Sequence, residues 1–190
     1  MIINDAVNIA LRYLGEMPVP DGVDIDSLDP LHEAYISREI LIQKSKELQS
    51  QGWWFNRETW DFTPDTNNRI GVPPSVLTFD TTDDDVIKRG GSLYDRENRT
   101  YEFTSSVEGD VVWYWEFADL PEVMANYITY AAAQQVQLFF TADDFTDSKL
   151  DTEIQRAFIR VQREDMRNNN YNLITGNRLI GRDSLPTAIS

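Results

Sequence analysis

The chain has 190 residues, 41% of them hydrophobic and 26% charged, with a formal net charge of −15. This size and composition suit one soluble globular domain, or one domain with a sizeable insertion. Such a domain can bury a core without disulfides or structural metals. The acidic balance argues against tight, sequence-specific binding to DNA or RNA. The absence of cysteine excludes thiolate nucleophiles and Cys-ligated zinc, and a single histidine, His32, excludes His-rich metal sites.

The sequence has no apolar run long enough to span a bilayer. Its N-terminal stretch, MIINDAVNIALRYLG, lacks the basic segment of a signal peptide. We therefore expect a protein that is made and used without secretion through its own signal.

The first segment predicts a short amphipathic helix. Asn4 is the expected N-cap, and Gly15 followed by Pro18 is the expected stop. The stretch PDGVDIDSLD comes next, and its acidic residues and turn formers predict a loop.

A second helix is predicted to begin at Asp29-Pro30, with the aspartate as N-cap and the proline in the first position. It is predicted to end near Gln51, with Gly52 as the C′ residue. His32 falls in the first turn, where we interpret it as a partly exposed helix residue rather than a catalytic base.

One face of this second helix is apolar, and two further apolar residues lie outside that face. Ile36 and Ile40 are these outliers, and they indicate a second contact surface. The predicted face consists of Leu31, Ala34, Tyr35, Leu41, Ile42, Ser45 and Leu48.

The middle third, from Trp53 to Phe117, contains short apolar or alternating runs. RETWDFT, VLTF and DVVWYW predict strands, and Gly90-Gly91 and Glu97-Asn98 predict tight turns. We interpret this region as a small antiparallel, meander-like sheet.

Helical spacing returns in the last third of the chain. Asp119 and Glu122 predict a capping box at the start of a third helix, with Pro121 in its first turn. A fourth helix is predicted to carry a buried stripe of Leu150, Ile154, Ala157, Phe158 and Val161. Its opposite face has mixed charge, with Lys149, Asp151, Glu153, Arg156, Arg160 and Arg163.

These elements predict an α+β fold: a four-helix bundle with a small antiparallel β-sheet inserted between the second and third helices. Residues 1–52 and 119–170 would form the bundle and residues 53–118 the β-rich insertion. Residues 171–190 would form an extended C-terminal tail, ordered only by a partner.

Two groups of carboxylates raise the question of chemistry. Asp80, Asp83, Asp84 and Asp85 offer oxygen ligands for calcium, but they lack the spacing of an EF-hand, so a solvated turn is the better interpretation. Glu58 and Asp61 lie among tryptophans, as in a glycosidase.

On a strand, Glu58 and Asp61 would point to opposite faces and would not converge on one bond. The sequence also contains no Walker loop, no G-x-G-x-x-G and no G-x-S-x-G. Neither cofactor binding nor catalysis is therefore expected.

The aromatic run GWWFN at residues 52–56 has two interpretations. It could be an exposed platform for stacking a ligand, or a wedge between the bundle and the sheet. Because Gly52 ends a helix and Glu58 belongs to a strand, we favour the wedge. Trp53 or Trp54, together with Phe55, should then be largely buried.

Four motifs occur in order along the chain: LRYLGEMPVP, LQSQGWWFN, GGSLYDRENRTYEF and WEFADLPEVMANYITYAAAQQ. With these motifs the chain resembles the tail tubular protein A family, the adaptor or gatekeeper ring proteins of short-tailed, podovirus-type bacteriophages. The resemblance extends from about Ile3 to Leu173.

The resemblance implies a structural virion protein, made in the host bacterial cytoplasm, that forms a dodecameric ring and is a monomer before assembly. Such a ring joins the portal protein to the tail nozzle, tail tubular protein B, and DNA passes through it during packaging and ejection. Ile36, Ile40, Arg156 and Arg160 are then candidates for contacts between subunits. Leu173, Leu179 and Ile180 are candidates for docking on the portal.

Two other functions remain open at the level of the sequence. The first is a virion-associated hydrolase of polysaccharide or peptidoglycan, which rests on the carboxylates Glu58 and Asp61. The second is a cytoplasmic regulatory module that binds a host protein through its acidic surface.

Overall fold

The computed structural model describes residues 1–81 and 85–175, except for the side chains of Phe145 and of residues 170–175. The predicted α+β class is confirmed, because the described residues form helices and small antiparallel sheets. The helices are α1 (Ile3–Leu14), α2 (Glu33–Gln49), α3 (Glu122–Phe140) and α4 (Asp144–Thr175). The strands are β1 (Arg57–Phe62), β2 (Val76–Asp80), β3 (Val86–Arg89), β4 (Ser92–Asp95) and β5 (Val107–Trp113).

Helix α1 ends where the sequence predicts but begins earlier. Gly15 follows it with φ of 79°, a left-handed conformation that glycine adopts at little cost. The predicted N-cap, Asn4, is wrong, because Ile2 is the cap residue and Asn4 lies within the helix. The Asn4 amide donates instead to the carbonyl of Val23, 3.4 Å away, and so fastens the following loop.

Helix α2 begins later than predicted, because Asp29 closes a separate turn. The Asp29 carboxylate accepts from the backbone N–H of Leu31 at 2.8 Å, and its carbonyl accepts from the N–H of His32 at 2.8 Å. His32 is the true N-cap: its Nδ1 accepts from the N–H of Ala34 at 3.1 Å. Leu31 therefore lies outside the helix and is 82% exposed, contrary to the predicted apolar face.

The strands form two antiparallel sheets instead of one meander. The larger sheet has the order β1-β5-β2, and β3 and β4 form a separate two-stranded hairpin around the predicted Gly90-Gly91 turn. The predicted meander is wrong because turn residues indicate only local pairing. The pairing of β5 with both β1 and β2 is long-range and has no short-range signal.

The start of α3 also differs from the prediction. Asp119 ends a short 3₁₀ turn, Phe117–Asp119, and Pro121 is the N-cap of the helix. Because Pro121 has no side-chain oxygen, α3 has no side-chain cap, and the predicted capping box is wrong.

Helix α3 packs against α1, α2 and α4, and α1 also packs against α2. The side chains at these contacts are small or branched, among them Ala125, Ile128 and Ala132, all at most 1% exposed. The predicted stripe of α4 faces α3: Leu150, Ala157 and Val161 are buried, and Ile154 and Phe158 are half-buried. A second buried cluster fills the β-rich region, with Phe62, Ile70, Val72, Val76, Val86, Leu93, Phe103 and Val111.

Helix α4 has 32 residues, so it is about 48 Å long at 1.5 Å per residue. It continues to Thr175, which corrects the predicted tail: residues 171–175 are helical rather than extended. The physical reason is that the chain contains neither glycine nor proline between Asp144 and Thr175. No helix in the described part of the chain has the length and apolar character needed to cross a membrane.

Candidate assembly surfaces

A network of side-chain amides joins the end of α2 to the central strand β5. Asn56 accepts from the backbone N–H of Trp53 at 2.9 Å and donates to the carbonyls of Gln49 at 3.0 Å and Trp113 at 2.8 Å. Gln49 donates to the carbonyl of Trp115 at 3.0 Å and accepts from its N–H at 2.8 Å. Gln49 is 0% exposed and Asn56 is 2% exposed.

We call the Gln49–Asn56 network the junction lock. Every polar side-chain atom of the two residues has a partner, since the Gln49 amide also donates to the Ser45 hydroxyl at 2.9 Å. Buried polar groups stabilise a single arrangement only when they are all satisfied in this way. The lock therefore fixes the C-terminal end of β5 against the end of α2.

The aromatic run beside the lock packs into the helical core. Trp53 is 8% exposed, and its indole N–H donates to the carbonyl of Leu48 at 2.8 Å. Its ring packs edge-on against Phe158 of α4, with the ring centroids 6.4 Å apart. The backbone N–H of Trp54 donates to the Asp165 carboxylate at 3.0 Å. Burial of Trp53 confirms the prediction that Trp53 or Trp54 is buried, whereas Phe55, like Trp54, is only half-buried against the helical core. A role of the run as a wedge against the sheet stays a prediction.

The candidate glycosidase carboxylates do not form a site. Glu58 and Asp61 are exposed on β1, where they pair with Val111 and Glu108 of β5. Their side chains point to opposite faces of the sheet, and their Cα atoms are about 10 Å apart along the strand. This arrangement cannot place both groups on one glycosidic bond.

The candidate calcium ligands fall partly outside the described residues. Asp80 and Asp85 are described, whereas Asp83 and Asp84 are not. Among residues 1–81 and 85–175, no group of three or more His, Cys, Asp or Glu side chains could hold a metal ion. The interpretation of this segment as a solvated turn stays a prediction.

The candidate interface residues of α2 belong partly to the core. Ile40 is half-buried and packs against two buried helical clusters. Ile36 is half-buried on the same helix. The structure therefore assigns much of the Ile40 surface to packing within one subunit.

The outer face of α4 carries a row of arginines. Arg156, Arg160, Arg163 and Arg167 follow one another at i, i+4, i+7 and i+11, so they lie on one side of the helix. We call these four residues the arginine row, and all four are exposed. Arg156 contacts Glu153 at 2.8 Å and Arg167 contacts Glu164 at 3.8 Å, both within the same helix.

Two apolar side chains border the arginine row. Ile159 is 47% exposed and Met166 is 57% exposed, seven residues apart and far around the helix from the buried stripe. Sequence reasoning named Arg156 and Arg160 but missed this second apolar stripe. The seven-residue spacing of Ile159 and Met166 was the available signal.

A second surface lies on the loop between α1 and α2, residues 16–31, which we call the acidic loop. It is anchored from within, because Val19 and Ile25 are buried and Asn8 of α1 holds the backbone of Val19. Met17 is 85% exposed and Leu31 82%. The exposed carboxylates of the loop are Glu16, Asp21, Asp24, Asp26 and Asp29.

Burial raises the pKa values of three tyrosines at helix and junction contacts. Desolvation raises the pKa of Tyr13, and the neighbouring Tyr130 and Glu153 raise it further. Desolvation also raises the pKa of Tyr127, with a smaller contribution from Glu47, and the pKa of Tyr114. These shifts follow from packing, since each ring lies only partly in solvent.

Comparison with known proteins assigns the chain to a family. The family of tail tubular proteins matches residues 4–171. The chain belongs to the tail tubular protein family. It is 32% identical over 169 residues to "Tail tubular protein A" of Klebsiella phage KP34, and the match covers 88% of each chain.

The tail tubular proteins are structural proteins of the bacteriophage tail, and the family is not one of enzymes. This tail tubular protein is therefore a structural virion component.

Proposed function

We propose that this chain is a head–tail adaptor. Copies form a dodecameric ring between the portal protein at the capsid vertex and the tail nozzle formed by tail tubular protein B. The observation that carries the proposal is the match to the tail tubular protein family over residues 4–171, together with the relative named "Tail tubular protein A".

The net charge supports a role as a passage for DNA. A chain with a formal charge of −15 presents few cations to phosphate, and phosphate affinity depends on cations that release counterions. A ring of such subunits would act as the gatekeeper of the tail. The genome would pass through it without sequence-specific binding during packaging and ejection.

We further propose the arrangement of the parts within the ring. Residues 1–52 and 119–170 would act as a helical bundle that carries residues 53–118 as an insertion. The junction lock supports this proposal, since it joins the two parts through buried hydrogen bonds.

The C-terminal segment would dock on the portal. Leu173, Leu179 and Ile180 would supply apolar contacts there. The last two lie outside the described residues, and Leu173 belongs to the helical end of α4. Ile36 and Ile40 of α2 would contribute to contacts between subunits, together with the arginines of α4.

The test is reconstitution with the portal and nozzle proteins of the same phage. Portal and nozzle should fail to associate when mixed alone, and adding this chain should give a ternary complex with a twelvefold ring by electron microscopy. Infected host cells should contain the free chain in the cytoplasm and the assembled chain in virions. Binding to neither protein under assembly conditions would overturn the proposal.

A further inference from the structure

The arginine row is unusual for so acidic a chain. The whole sequence has 17 Lys and Arg residues against 32 Asp and Glu. Four of the 17 lie on one side of α4 within twelve residues. In the described part of the chain, Arg160 and Arg163 have no ion-pair partner within 4.0 Å.

The exposed apolar side chains next to the arginine row indicate which kind of partner would bind it. Ile159 and Met166 gain from contact with other apolar groups, which a phosphate backbone does not supply. A cationic row beside an apolar stripe instead resembles the polar rim and apolar centre of a protein–protein interface, where arginine and methionine are enriched.

The acidic loop offers the complementary pattern on the same chain. The same loop carries exposed carboxylates together with Met17 and Leu31, the two most exposed large apolar side chains of the described residues. One of the carboxylates, Asp26, already pairs with Arg38 at 2.9 Å. The loop is already ordered by Val19 and Ile25, so binding to it has a small ordering cost. Within one subunit no ion pair of the described residues joins the loop to the arginine row.

We infer that the outer face of α4 in one copy docks on the acidic loop of the next copy. The inference rests on the proposed ring and names the surfaces that form it. Because the two patches belong to different elements, the contact is heterologous, and repeated heterologous contacts close into a ring. Ion pairs along the arginine row then flank an apolar contact of Ile159 and Met166 with Met17 and Leu31.

Charge reversal tests the pairing of the two patches. The α4-reversed variant carries Arg160→Glu and Arg163→Glu, and the loop-reversed variant carries Glu16→Lys and Asp21→Lys. Each variant alone should assemble on the portal at least about tenfold more weakly than the unchanged chain, because like charges then face each other. A control with Arg89→Glu and Arg99→Glu makes the same change in net charge as the α4 reversal, on exposed residues of the β-rich region, and should assemble normally.

Mixing the two reversed variants is the decisive experiment. In a mixture, every contact between unlike copies pairs either two original patches or two reversed ones. Assembly should therefore return when the variants alternate around the ring. If each variant assembles normally, or if the mixture fails while both variants fold, the inference is overturned.

Cross-linking gives a readout that does not require a stable ring. The chain has no cysteine, so Arg160→Cys and Asp21→Cys variants contain one thiol each. Oxidation of the mixed variants at high concentration should give mainly the heterodimer, in which a disulfide joins position 160 of one copy to position 21 of another. Random pairing that matches an Arg89→Cys control would overturn the inference, whether or not the chain binds portal.

A parallel experiment measures binding of the unchanged chain and of the α4-reversed variant to duplex DNA. Fluorescence anisotropy with a labelled duplex should show no difference between the unchanged chain and the α4-reversed variant. If reversal abolishes DNA binding and leaves assembly intact, the row serves DNA and the inference is wrong. If the unchanged chain binds neither portal nor nozzle, the proposed function fails, while the cross-linking result still decides the pairing.

Discussion

The junction lock and the outer face of α4 are both rich in polar side chains, but one is complete within a single copy and the other is not. In the lock, Gln49 and Asn56 are buried and every polar atom of their side chains is bonded. On α4, Arg160 and Arg163 are exposed to solvent beside the exposed Ile159 and Met166. Substitutions should therefore alter folding at the lock and assembly at α4.

The largest effect on folding is expected for Asn56→Ala. This change removes three hydrogen bonds, to the N–H of Trp53 and to the carbonyls of Gln49 and Trp113. The Gln49 carbonyl keeps the N–H of Gly52 at 3.1 Å, so the loss falls mainly on the groups of Trp53 and Trp113. The free energy of unfolding should fall by about 3 kcal/mol, measured by urea denaturation of the isolated chain.

Asn169→Ala is the matched control for the lock. Asn169 is exposed on α4 and makes one side-chain contact, to Asp165 at 3.2 Å. Its replacement should change the free energy of unfolding by no more than about 0.5 kcal/mol. Equal losses in the two variants would contradict the special role of the lock.

Gly109→Ala should give the next largest effect. A Cβ atom at this position in β5 would lie 2.4 Å from the Phe79 ring and 2.7 Å from the carbonyl of Asp80. The sheet must shift to accommodate it, at a cost of about 2 kcal/mol in the free energy of unfolding. Gly71→Ala is the control, since a Cβ atom there would have no other atom within 4 Å, and thermal unfolding should distinguish the two variants.

The free energy of unfolding should fall at alkaline pH, where three partly buried tyrosines ionise. The folded-state pKa values of Tyr13, Tyr114 and Tyr127 are raised, so the unfolded chain loses these protons first. Their contribution to stability is fully present below the unfolded pKa of about 10 and is lost as pH rises through the folded values. Tyr127→Phe should reduce the slope of stability against pH above about 10, and an unchanged slope would contradict this assignment.

The smallest effect on folding is expected on α4. The α4-reversed variant changes exposed side chains without ion-pair partners in the described residues, so its free energy of unfolding should stay within about 0.5 kcal/mol of the original. Urea denaturation checks this directly. A large loss would mean that the row stabilises the subunit and would remove the contrast with the lock.

Local patterns predicted much of the fold. The apolar spacing of α4 predicted its buried stripe, Gly15 predicted the end of α1, and Gly90-Gly91 predicted the β3–β4 hairpin. The position of Gly52 before a strand also predicted that Trp53 or Trp54 is buried, and Trp53 is. These features depend on residues close in sequence, so a single chain is enough to detect them.

Long-range features could not be predicted in the same way. The central position of β5 depends on pairing with strands far along the chain, and the lock depends on Gln49 meeting Trp115 across 66 residues. At the helix starts, several residues could act as caps: Asp29 closes its own turn, and His32 caps the helix instead. On α4, the mixed charges were predicted, but their division into an arginine row and an apolar stripe was not recognised.

Hydroxyl-radical footprinting of methionine and tryptophan, before and after assembly on the portal, is the sharpest test of the pairing of α4 with the acidic loop. Met17 and Met166 are exposed in the single copy, while Trp53 and Met124 are buried. We expect oxidation of Met17 and Met166 to be strong in the free chain and to fall several-fold in the assembled ring. Trp53 and Met124 should stay protected in both. Equal oxidation of Met17 and Met166 in the free and assembled states would show that assembly buries neither surface, and the pairing would be wrong.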